Sequence, residues 1–133
     1  MKISAHLTNG RECHTVTVET NGTNQKLSIP AKRGGFGSAV NGGELLCLAL
    51  ATCYCNDIYR EAAKLGIAVN AVEVTVEAEF GGAGEAARRI SYSPKVDADA
   101  SEDAIRELIE HTDTVAEIQN TIRRGIDVSL ETQ

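Results

Sequence analysis

The sequence has few aromatic residues: three tyrosines, two phenylalanines and no tryptophan among 133 residues. Large space-filling side chains are therefore scarce. Positive charge is also short, with 13 Lys+Arg against 19 Asp+Glu and a net charge of −6. No basic field exists to neutralise nucleic-acid phosphates or an anionic membrane surface, so neither is an expected partner. The longest apolar run, Leu45–Ala51, falls far short of the ~20 residues that a membrane span needs. The opening MKISAHLTNG has no apolar signal-peptide stretch, and a cytoplasmic location is expected. There is no C-x-x-C pair with zinc spacing, no G-K-S/T phosphate loop, no dinucleotide fingerprint and no hydrolase triad signature. Neither a metal nor a cofactor is expected.

What is there reads as a single α+β domain over residues 1–133. Ile3, Ala5 and Leu7, then Val16 and Val18, alternate with polar residues and predict two half-buried strands joined at Asn9-Gly10. Asn21-Gly22 predicts a second turn before a short strand over Gln25 to Ile29. Residues 31–43 hold five glycines in thirteen positions, predicting an irregular loop or binding lip. A helix follows from Glu44 to about Leu65, closed by Gly66. Val72 to Phe80 alternates cleanly and pairs with a strand over roughly Arg88 to Val96. Ser101 caps a helix to about His111, Asp113 or Thr114 caps another through Ile122, and Ile126, Val128 and Leu130 predict a last strand.

The first half of the long helix is apolar on nearly every side, from Leu45 to Ala51, while charge returns at Asp57, Arg60, Glu61 and Lys64. Such a helix is enclosed on all sides, more than one small sheet and two short helices provide, so an obligate homodimer with this helix near its centre is expected. Three of the four cysteines lie on it. At about 100° per residue, Cys47 and Cys55 fall within roughly 80° of each other, and Cys53 is displaced from Cys55 by roughly 160–200°. They do not form one site. Without an export signal, Cys13, Cys47, Cys53 and Cys55 are expected to be reduced thiols. Cys53 lies too deep in its helix for that helix's dipole to lower its pKa much, so a reactive Cys53 needs a cation from elsewhere.

The run Glu44-Leu-Leu-Cys-Leu-Ala-Leu-Ala-Thr-Cys53, with Lys64-Leu-Gly-Ile after it, resembles the signature helix of the OsmC/Ohr superfamily. Thr8-Asn-Gly-Arg11 resembles that family's T-G-G-R segment, and Lys26-Leu-Ser-Ile-Pro30 its K-L-S-x-P stretch. The resemblance covers nearly the whole chain. It implies an OsmC-like fold, antiparallel sheets wrapped around a central buried helix in an intertwined homodimer, and a thiol-dependent peroxidase. Cys53 is then the reactive cysteine and Arg11 the arginine that stabilises its thiolate. Two positions depart from the pattern. Gly43 stands where the family has an acidic residue, leaving Glu44, about 100° further round the helix, as its possible substitute. Asp113-Thr-Val-Ala116 stands approximately where a resolving cysteine is expected, and no cysteine follows Cys55.

Three functions stay open. One is reduction of organic hydroperoxides by Cys53 and Arg11, with an external thiol or dithiol as reductant. The second is a non-enzymatic member binding an acyl or thiol-containing small molecule, and the third a stress-associated dimer with inert thiols. Cys13, two residues after Arg11, would on an extended strand share its face. It is thereby a candidate for a disulfide with Cys53.

Overall fold

The computed structural model describes residues 1–132. The elements are β1 (Ile3–Gly10), β2 (Cys13–Thr20), β3 (Thr23–Leu27), α1 (Gly42–Lys64), β4 (Val69–Phe80), β5 (Ala87–Ala98), α2 (Glu102–Val115) and α3 (Glu117–Arg124). This α+β chain forms two compact units that divide between Leu45 and Leu46, near the start of α1.

The first unit is the antiparallel sheet β1-β2-β3 and the loop after it. Asn21-Gly22 makes the expected tight turn: Thr20 faces Thr23, and both intervening residues have positive φ, 49° and 86°, the geometry that Asn-Gly favours. The first turn lies two residues later than expected. β1 runs through Gly10, which pairs with Cys13, so the connection is Arg11-Glu12, with Glu12 at φ 54°. The glycine-rich loop is more ordered than its composition suggests. Ala31 and Ser38 form a β-bridge, the Glu12 N–H donates to Gly35 O at 2.9 Å, and the Gly37 N–H donates to Asn9 Oδ1 at 2.8 Å. Gly37 sits at φ 102°, which strains any residue with a Cβ. The β1 side chains Ile3 and Leu7 are exposed rather than half-buried.

In the second unit, β4 and β5 form an antiparallel hairpin. Val72, Val74, Val76 and Ala78 lie on its half-buried face and Glu73, Thr75, Glu77 and Glu79 are exposed, as the alternation predicts. Phe80 departs, because a register irregularity between Glu79 and Phe80 turns it out. The fully buried cluster is Tyr54, Ile58, Ala62, Leu108 and Ala116, with Val72, Val74, Tyr92 and Val96 against it. Tyr54 and Tyr92 pack with ring centroids 4.9 Å apart and planes tilted at 60°. The Tyr54 hydroxyl donates to Ile109 O at 2.7 Å, and burial pushes its pKa up to about 12.

Within the chain, α1 is buried along one stripe. The buried residues of the helix, Leu50, Tyr54, Asp57, Ile58, Glu61 and Ala62, lie mainly in its charged second half, while Leu48 in the apolar half is 60% exposed. The i, i+4, i+7 spacing of one inward stripe decides burial within the chain, not the total apolar content. Gly66, at φ 68°, follows the helix end as expected. α2 continues past His111 to Val115, and α3 begins at Glu117. Ser101 caps α2 by accepting the Ala104 N–H. The predicted last strand does not form: Ile126, Val128 and Leu130 have no ladder partner and are 62%, 98% and 90% exposed. Alternation alone supplies no neighbouring edge to pair with.

The burial of Glu61 has a measurable consequence. Hydrogen bonds from Arg60 and Lys64, with a further one from His111, hold its carboxyl down to about 2 against an ordinary 4.5. A lowered folded-state pKa contributes stability above the unfolded value that is lost as pH falls through the folded one. Stability to urea should therefore fall as pH drops from 4.5 to about 2. In Glu61→Gln that part of the slope should vanish, and an equal slope in both proteins would contradict this role.

Candidate active site

Cys53 and Asp57 lie one turn apart on α1, a spacing that puts two helical side chains side by side. The Cys53 Sγ is 3.5 Å from Asp57 Oδ2. Glu117, the first residue of α3, comes from 64 positions further along the chain and places its Oε2 3.7 Å from the same sulfur. The thiol has one hydrogen and can donate it to either carboxylate. On the other side of the balance, the Ile118 backbone N–H donates to the sulfur. It belongs to the first turn of α3, where unpaired N–H groups carry the positive end of the helix dipole.

Arg60 ties the acids together. Its Nη1 is 2.7 Å from Asp57 Oδ1 and 3.0 Å from Glu117 Oε1, and its Nε is 2.8 Å from Glu61 Oε1. Asp57 and Glu61 are buried; the Glu117 side chain is 62% exposed. Burial pushes the Asp57 carboxyl above the usual range, with Glu117 adding to the rise and Arg60 opposing it. Glu117 is held below the usual range, first by its own backbone N–H. Burial pushes the Cys53 thiol up; the Ile118 N–H works against this, and the charges of Asp57 and Glu117 add to the rise. The resting thiol therefore keeps its proton.

Cys53, Asp57 and Glu117 also present three possible metal donors within 4.8 Å of one another. Both carboxylates are already paired with Arg60, and a divalent cation would have to displace that guanidinium. No metal was expected from the sequence, and this donor set was not anticipated.

The other sequence-predicted residues belong to the first unit. Arg11 is exposed in the β1–β2 turn, which its neighbours Asn9 and Glu12 pin to the glycine-rich loop. Cys13 opens β2 as an exposed free thiol. The expected common face of Arg11 and Cys13 is not present: Arg11 lies in a turn and Glu12 has positive φ, so the two-residue alternation of an extended strand does not apply. Glu44 forms a reciprocal cap with Asn41. The Asn41 N–H donates to Glu44 Oε2 at 2.7 Å, and the Glu44 N–H donates to Asn41 Oδ1 at 2.9 Å. Cys47 and Cys55 are half-buried free thiols.

Sequence reasoning noted Asp57, Arg60 and Glu61 only as returning charge. The signal for Asp57 was present, since a carboxylate four residues after a cysteine on a helix must neighbour it. For Glu117 and Ile118 there was none, because only the fold brings α3 to Cys53.

An OsmC-like protein family model matches residues 35–131, and the chain belongs to that family. Solved structures agree in fold. An OsmC-like protein from Mycoplasma pneumoniae is 21% identical with a TM-score of 0.64, covering 94% of this chain and 87% of its own. The organic hydroperoxide resistance protein OhrB of Bacillus subtilis is 18% identical with a TM-score of 0.57, covering 98% and 97%. A putative organic hydroperoxide resistance protein from Vibrio cholerae, with captopril bound in one of its active sites, is 26% identical with a TM-score of 0.57, covering 96% and 88%. No curated protein matches the sequence. No helix among the described residues is long and apolar enough to cross a membrane.

Proposed function

We propose that the chain reduces organic hydroperoxides with Cys53 as the reacting thiol. The observation that carries this reading is the setting of the sulfur: half-buried, 3.5 Å from the Asp57 carboxylate and facing the Ile118 N–H. A proton acceptor and a hydrogen-bond donor meet at one nucleophile. Family membership and the hydroperoxide resistance proteins among its structural neighbours support it. Sulfur attacks a peroxide oxygen, the O–O bond breaks, and Cys53 becomes a sulfenic acid as the alcohol leaves. An external thiol then forms a mixed disulfide with loss of water, and a second thiol releases Cys53. Arg11 is proposed as the cation that polarises the peroxide, and Glu44 as a group that orients it, beside the cap it makes with Asn41. Cys13 is the alternative resolving thiol.

The raised Cys53 pKa favours a second reading, a small-molecule-binding member whose buried thiol is inert. One experiment separates the two. After one equivalent of cumene hydroperoxide, wild type should carry a sulfenic acid at Cys53, trapped by dimedone and read by peptide mapping. Cys53→Ser should lose turnover with a dithiol entirely, and Arg11→Ala should lose most of it. A Cys13–Cys53 disulfide in the same map would assign resolution to Cys13. A Cys53 that stays a free thiol would leave the binding reading in its place.

We further propose a cytoplasmic homodimer. Ile3, Leu7, Leu48 and Val128 are 63%, 55%, 60% and 98% exposed, apolar surface that association would cover. Sedimentation at micromolar concentration should show a two-chain species, and a compact single chain would contradict it.

A further inference from the structure

We propose that Asp57 is the proton relay of Cys53, taking the thiol proton as sulfur attacks and returning it to the departing oxygen. This inference rests on the hydroperoxide reading above and assigns a catalytic role to a residue that the sequence analysis left as ordinary helix charge.

The geometry divides the Asp57 carboxylate between two tasks. Oδ1 is held by Arg60 Nη1 at 2.7 Å, and Oδ2 faces the Cys53 sulfur at 3.5 Å. The guanidinium thus fixes which oxygen meets the thiol. Asp57 is 4% exposed, so bulk water competes poorly for that oxygen. Glu117 is the other acceptor within reach, but it is farther from the sulfur, at 3.7 Å, and its side chain is 62% exposed. The nearer and more buried carboxylate, Asp57, is therefore the better placed acceptor. The charged groups around Asp57 are Arg60 on its own helix and Glu117 on α3, with Glu61 sharing the Arg60 guanidinium.

The step balances. The S–H bond breaks and its proton passes to Asp57 Oδ2, while the sulfur electron pair forms a bond to the terminal peroxide oxygen. The O–O bond breaks and its electron pair leaves on the alkoxy oxygen, which takes the proton back from Asp57. Cysteine is oxidised by two electrons to the sulfenic acid, the hydroperoxide is reduced to the alcohol, and Asp57 ends as the carboxylate it began. A thiol with a high pKa suits this route, because the proton need leave only during the attack. It also supplies the acid that an alkoxide leaving group requires.

The test compares two reactions of Cys53 in wild type, Asp57→Asn and Asp57→Glu. Alkylation by iodoacetamide, followed at the Cys53 peptide by mass spectrometry across pH, needs a thiolate but gives its leaving group no proton. Single-turnover consumption of cumene hydroperoxide needs both. In Asp57→Asn the negative charge and the proton-accepting base are gone, so alkylation near pH 7 should become faster. Hydroperoxide reduction should become slower by about 10²-fold, the lower end of a general acid–base contribution. Asp57→Glu, which keeps the carboxylate and guards against a folding defect in the amide variant, should recover much of the peroxide rate. Rates that change in the same direction in Asp57→Asn, or that do not change, would overturn the relay. A wild type that alkylates at Cys53 but consumes no hydroperoxide would overturn the peroxidase reading and the return of the proton with it.

Discussion

Two carboxylates, Asp57 and Glu61, are carried into the interior on the inward stripe of α1, and one guanidinium answers both. Arg60 is near enough in sequence to reach each from the same helix, and it extends to Glu117 on α3 as well. A buried carboxylate without a partner is costly, because the low-dielectric interior penalises its charge. Helix α1 tolerates two because Lys64 and His111 share the load at Glu61, leaving Arg60 to orient Asp57. The same ion-pair group therefore seats the helix in the second unit and sets the electrostatics at the sulfur.

That arrangement sets Cys53 apart from the usual low-pKa thiol. Low-pKa cysteines sit among cations, but within its own unit Cys53 faces two carboxylates, and the Ile118 N–H alone opposes them. In the proposed reaction the thiol therefore acts through proton transfer during attack rather than through a standing thiolate. Arg11, which the first unit holds on a pinned turn, is the residue proposed to polarise the peroxide.

Much of the fold was legible because it is written in local chemistry. Asn21-Gly22 demands its turn, the Val72–Ala78 alternation demands a strand with one inward face, and Ser101 caps a helix. Elsewhere position, not composition, decides what packs within the chain. Within the chain the stripe through Tyr54, Ile58 and Ala62 is what packs, and total apolar content does not select it. Ile126 to Leu130 alternates like a strand but has no edge to join within the chain. Arg11 and Cys13 looked like strand neighbours until the turn fell between them. At the site, Cys53 was legible through the signature helix that ends on it. Its acids were not, since Asp57 is ordinary helix charge until its burial is known, and Glu117 is a neighbour only in the folded chain.

The central claim is that Cys53 rests protonated among carboxylates. Its most direct test is a carbon-13 NMR titration of the Cys53 Cβ in the full chain, with cysteine labelled and the resonance assigned by Cys53→Ser. The account predicts a midpoint above the ordinary free-thiol value of about 8.5, with no thiolate signal at neutral pH. A midpoint below that value, with the thiolate already present at pH 7, would contradict it.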